Sequence, residues 1–269
     1  MSSLYAHLIR VRVVAGMVWL ETVRRKDAYV LLILLATLLG MLATRKVFGI
    51  GGVSRYVVDA GLLMTWILSW GLGIAVTARQ LPDEESKGTI MPLLAKPLSR
   101  AELVVGKWLG AWTVTAAATA AFCVLVALVA WLRGGPVDLV ALAQGWLAHC
   151  GGLSVVCSMA LWCSVRLHQD AAVTLGWVLT AGATLVVPRI PAILVDASPL
   201  RSYVLQLCYH LLPHLEVFDM RRRIVHGYGP ASWGSLGLVL LYGSVVTLFF
   251  LVWSWLLYRR KRFSRGALV

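Results

Sequence analysis

The chain has 269 residues, of which 59% are apolar and 14% charged, and its mean hydropathy is +0.80. A soluble domain is about half apolar and a quarter charged, so these proportions exclude an ordinary soluble enzyme and point to the membrane. The formal charge of +13 does not call for nucleic acid as a partner, because the cations flank apolar stretches, where they meet anionic headgroups.

Residues 4–26 place Arg10, Arg12, Glu21, Arg24 and Arg25 among Leu4, Ile9, Val13, Val14, Val18 and Leu20. This stretch lacks the clean apolar run and small-residue cleavage site of a signal peptide. It is expected to be an amphipathic helix at the inner membrane interface. A bilayer core of about 30 Å takes roughly 20 apolar residues as helix. Stretches of that kind are Tyr29–Ala43, Val57–Ala78, Leu109–Trp131, Leu139–Val165, Ala171–Val187 and Leu236–Tyr258. The fold class is therefore all-α: a polytopic membrane protein of six transmembrane helices in one domain, 1–269. The alternative count is five, with Ala171–Val187 and the segment after it forming one re-entrant unit.

Between the second and third spans lies residues 79–107, polar enough to sit in the cytoplasm. Pro82 suits a first helical turn, and Asp83, Glu84 and Glu85 follow where the helix dipole favours acids. Ile90, Leu93 and Leu94 recur at helical spacing, and Lys96-Pro97 ends that helix. Ser99 then caps the next one, with Glu102 completing a capping box. The pattern predicts a short helix, a turn and a new span, with the apolar ridge as a docking face; a solvated interfacial hairpin is the plainer reading.

The next spans carry Cys123, Cys150, Cys157 and Cys163, with His149 and the pair Gly151-Gly152. Close helix packing is the default for such small residues. Residues 188–231 are too polar to span and are broken by Pro188, Pro191, Pro199 and Pro213, which predicts an extracytoplasmic helical segment before the last span. There, His210 and His214 are weak candidates for a metal, structural histidines are the plainer reading, and no metal site is assigned. Arg221, Arg222 and Arg223 can meet lipid headgroups, an outer partner, or Glu216 and Asp219. Of 25 basic residues, 16 fall inside and 9 outside if both termini are cytoplasmic, the side where Lys and Arg concentrate.

No Gly-x-x-x-x-Gly-Lys-Ser/Thr, His-Glu-x-x-His or Gly-x-Ser-x-Gly motif occurs, and the spans hold almost no ionisable residues, which proton-coupled carriers use. Energy for uphill movement must then enter from a partner. The run Glu84-x-x-x-Gly88-Thr89-x-x-x-Leu93-Leu94-x-Lys96-Pro97-Leu98-Ser99-Arg100-x-Glu102, followed by Gly106-Lys107, resembles the signature loop of ABC-2 type permeases. The resemblance implies that Glu84, Gly88, Thr89, Ile90, Leu93, Leu94, Lys96, Pro97, Ser99, Arg100, Gly106 and Lys107 belong to a coupling element that seats in a separate ATPase. A second pattern, Leu-Pro-x-x-x-x-Phe-Asp within Leu211–Gly227, is similar to permeases of the nitrous-oxide-reductase maturation type. It marks Pro213, Phe218, Asp219 and Gly227 as an outer cap or partner surface.

Together these resemblances imply a permease homodimer in a bacterial inner membrane with two ATPase copies, membrane lipid, and a periplasmic accessory protein as partners. ATP and Mg belong to the ATPase, and this chain is expected to hold no cofactor and catalyse nothing. Copper-enzyme maturation is the role the second resemblance suggests. The alternatives are a haem-exporter-like permease, which shares only topology, and a membrane scaffold that passes ATPase motion to a periplasmic partner without transport.

Overall fold

The structure, a computed structural model, describes residues 2–44, 53–86, 99–135, 137–194 and 198–261. Among them it has no strand. The helices are α1 (Ser2–Arg25), α2 (Asp27–Thr44), α3 (Val53–Ser86), α4 (Arg100–Leu132), α5 (Leu139–Ser164) and α6 (Gln169–Ala181). After α6 come a π-helical turn (Gly182–Val186), a 3-10 turn (Val187–Arg189) and the short α7 (Ile190–Leu194). The remainder is α8 (Pro199–Leu211), a 3-10 turn (Leu215–Phe218), α9 (Arg221–Val225) and α10 (Trp233–Arg259).

Five described segments are long and apolar enough to cross a membrane: Arg55–Glu85, Arg100–Leu132, Leu139–Ser164, Gln169–Leu194 and Trp233–Arg260. The shorter apolar helix Asp27–Met41 brings them to the six that hydropathy predicts. The fifth span borrows residues on both sides of the expected Ala171–Val187. It passes Pro188, which has no N–H to give the helix ladder, by widening just before it, where Val187 N donates to Gly182 O, five residues back.

Helix α5 is the centre of the bundle, with Leu153, Val155, Cys157, Ala160 and Leu161 fully buried. The indoles of Trp108 and Trp112 on α4 donate to Ser154 O (3.1 Å) and Cys150 O (2.8 Å), and Trp146 returns one to Ala116 O (3.1 Å). In an apolar surround an unpaired indole N–H is costly, so these three bonds fix the register of α4 on α5. His149 is buried too, its Nε2 2.6 Å from Ser69 Oγ and its ring 4.3 Å from that of Trp66. It is a packed node between α3 and α5.

The amphipathic start is helical, as its pattern predicts, but it also packs lengthwise along α4. Val14 faces Gly106 and Val18 faces Gly110, so closely that a Cβ on either glycine would lie 2.7 Å from the valine. The spacing Gly-x-x-x-Gly is a packing notch. Trp19 Nε1 closes the contact on Thr113 Oγ1 at 2.8 Å.

Two boundaries differ from expectation. Pro82 does not open a new helix: it lies inside α3, which continues to Ser86. Local punctuation is overridden there by contacts, since Leu81 and Gln80 are buried and the acids that follow are tied to neighbouring helices. The segment before the last span also enters the bundle instead of standing clear of it. Leu212 reaches the position of Gly182, and Phe218 lies against Gly151, Gly152 and Gly243. Those glycines leave a slot that only a large ring fills, and Phe218 is 2% exposed.

Candidate coupling site

At 3.6 residues per turn, three consecutive helical residues point in three directions. Asp83, Glu84 and Glu85, in the last turn of α3, do so toward three different helices. Asp83 accepts a hydrogen bond from Arg25 at the end of α1 (2.9 Å). Glu84 accepts one from Lys107 on α4 (2.6 Å). Glu85 accepts one from Lys261, just past α10. Lys107 also donates to Gln80 Oε1 (3.1 Å) and its side chain is 5% exposed; Lys261 also donates to Val165 O, past the end of α5 (2.9 Å).

The start of α4 is tied as densely. Ser99 and Glu102 form the capping box the sequence predicts, Ser99 N donating to Glu102 Oε2 (2.6 Å) and Glu102 N to Ser99 Oγ (3.2 Å). The other Glu102 oxygen accepts from Arg10 Nε (2.8 Å) and pairs with His7, both on α1. Arg100 donates to the carbonyls of Tyr258, Arg259 and Lys261 at 2.8, 2.9 and 3.0 Å. The last carbonyls of a helix have no partner within it, so this guanidinium closes the end of α10.

Of the residues assigned to coupling, Glu84, Ser99, Arg100, Gly106 and Lys107 come together here; Gly88, Thr89, Ile90, Leu93, Leu94, Lys96 and Pro97 lie outside the described residues. Gly106 meets α1, and Glu84 and Lys107 meet each other. Sequence reasoning missed Asp83, Glu85, Gln80, Arg25 and Lys261. The available signal was the run of three acids, read as dipole partners of a helix start and placed instead at a helix end.

At the opposite end, Pro213 and Phe218 are buried. His214 N, next to Pro213, donates to Tyr242 Oη (2.8 Å). Asp219 is held by Arg221 through both carboxylate oxygens (2.8–3.1 Å), and Gly227 turns the chain at φ +66, a region glycine enters without Cβ strain. His210 Nδ1 meets Gln206 O (2.8 Å) and His214 Nδ1 meets Glu216 Oε1 (3.3 Å), so the two rings serve different partners. Among the described residues no three His, Cys, Asp or Glu gather to hold a metal.

The profile of the ABC-2 family transporter protein matches residues 19–262, from the last turns of α1 through α10. The chain belongs to the ABC-2 transporter family. No curated protein matches it. Membership makes it a transmembrane permease subunit, a transport component that is not itself catalytic and that works with an ABC ATPase. For this permease the tied end acquires a use: helices α3 and α4 flank the signature loop on either side, and what holds their ends holds the loop's two anchors.

Proposed function

We propose that this permease converts ATP-driven motion of a separate ATPase into movement of its spans through residues 84–107. The observation that supports the reading most is the acid run at the end of α3. Through Arg25, Lys107 and Lys261 it joins that helix to α1, α4 and the end of α10, so a displacement of the loop between α3 and α4 is delivered to four helices at once. The apolar ridge Ile90, Leu93 and Leu94 supplies the docking face, and ATP and Mg stay with the partner.

In this reading both termini and the tied end lie in the cytoplasm of a bacterial cell, below the inner membrane. Two permease copies related by a two-fold axis meet two ATPases. Within the family, the Leu212-Pro213 to Phe218-Asp219 pattern supports the nitrous-oxide-reductase maturation subclass and, with it, a role in copper-enzyme maturation. Any metal chemistry in that role belongs to a periplasmic partner, because His210 and His214 are engaged elsewhere. The test is co-purification of the ATPase with tagged permease from native membranes. Leu93→Asp should abolish it while membrane insertion persists; undiminished ATPase recovery would refute the docking assignment.

A further inference from the structure

At the end of the bundle opposite the acid run, a groove of about 340 Å³ runs between α9, α5 and the first turns of α10. Its upper part is cationic. Arg222 and Arg223 line it with Tyr228, while its one carboxylate, Asp219, is already held by Arg221. Arg223 donates to the carbonyls of Gly229 (2.9 Å) and Pro230 (3.4 Å), neutral acceptors that leave its charge uncompensated. Arg222 is exposed and has no ion pair among the described residues. The lower part is apolar, walled by Val217, Leu236 and Val239. Val239 lies six residues beyond Trp233, roughly 9 Å down α10 at 1.5 Å per residue.

The depth of the groove matches its chemistry. Tyr228 and Trp233 are 70% and 65% exposed at its mouth, and such rings favour the headgroup level of a bilayer. The cations therefore stand at headgroup height and the apolar wall descends into the hydrocarbon. A soluble anion would satisfy the upper half alone and leave the wall uncovered. A neutral lipid would leave two guanidinium groups without a counter-charge.

We infer that this groove binds one anionic phospholipid, its phosphate between Arg222 and Arg223 and one acyl chain along Val217, Leu236 and Val239. Guanidinium groups bind phosphate with paired, charge-assisted hydrogen bonds. The site needs only that this end of the chain meets a membrane surface, and so stands apart from the ATPase reading. Under the proposed orientation the lipid comes from the outer leaflet.

The test uses the full chain, purified from nanodiscs of equal phosphatidylglycerol and phosphatidylcholine and examined by native mass spectrometry. One phosphatidylglycerol per chain should persist, favoured over phosphatidylcholine by about fivefold for each arginine. Arg222→Gln, at an exposed side chain, should lower that preference about fivefold without altering thermal stability, and Arg222→Lys should retain most of it. Val217→Trp, which fills the apolar wall, should lose the lipid with both arginines intact. Equal retention of the two lipids by the unaltered chain, or an unchanged preference in Arg222→Gln, would overturn the assignment. Displacement of phosphatidylglycerol by millimolar inorganic phosphate would also overturn it, by showing a site for a soluble anion.

Discussion

The two ends of this permease are held by different physics. At the end that carries Asp83 to Glu85, polar bonds reach across the chain: Arg25 to Asp83, Lys107 to Glu84, Lys261 to Glu85, and Arg100 to the end of α10. At the other end the polar bonds are local. Arg221 meets Asp219 two residues away, and Arg223 meets Gly229 and Pro230. What joins separate helices there is apolar, Phe218 seated against Gly151, Gly152 and Gly243. Long-range ion pairs can open and re-form as helices shift, whereas a ring in a glycine slot resists any shift of its walls. One end is built to pass motion on, and the other to keep its shape.

Lys107 is where that contrast can be broken most severely. Its side chain and that of Glu84 are 5% and 20% exposed, and removing one member of a buried pair costs about 3–5 kcal/mol. Lys107→Met should lower thermal stability in detergent by that order, and Lys107→Met with Glu84→Leu should recover most of it. A single variant as stable as the unaltered chain would show that the pair is not buried as described. Phe218→Ala opens a cavity of similar cost, about 3–5 kcal/mol. In the assembled transporter its ATPase activity, measured well below the melting point, should stay coupled to the permease. Loss of coupling in Phe218→Ala would blur the division between the two ends.

Gly110→Ala should cost less, about 1–3 kcal/mol for an overpacked contact. Its new Cβ would meet Val18 Cβ at 2.7 Å and Ala15 O at 2.8 Å, and backbone cannot move aside as a flexible side chain can. The expected signature is local: α1 becomes sensitive to protease while the spans keep their melting temperature. A resistant α1 would mean that the notch is looser than its distances imply.

How much of this was readable in the residues follows from the range of the interactions. The spans were legible because hydrocarbon sets their length, and the Ser99–Glu102 capping box because both partners lie within one turn. The continuation of α3 past Pro82 was not, since it depends on Arg25 and Lys261, remote in sequence. Nor was the entry of residues 212–218 into the bundle, since Pro213 and the charges around it read locally as surface. The three glycines that receive Phe218 come from two different helices. Gly106-Lys107 was visible as a pattern, but a pattern does not say whether Gly106 faces a partner protein or, as it does, Val14.

The smallest expected effect is also the sharpest comparison. Asp219–Arg221 and Asp83–Arg25 are similarly exposed, with side chains 30% and 24% accessible in the first pair and 21% and 34% in the second. Exposed pairs contribute about 0.2–1 kcal/mol and weaken as salt screens them, so Asp219→Asn and Asp83→Asn should both leave the melting temperature nearly unchanged. They differ in reach: one pair spans two residues, the other joins α1 to α3. If the tied end transmits motion, Asp83→Asn should reduce permease-dependent ATPase activity severalfold and Asp219→Asn should not. Equal activity in the two variants would mean that the acid run only holds the helices together, and the coupling path would then have to run through the loop and α4 without it.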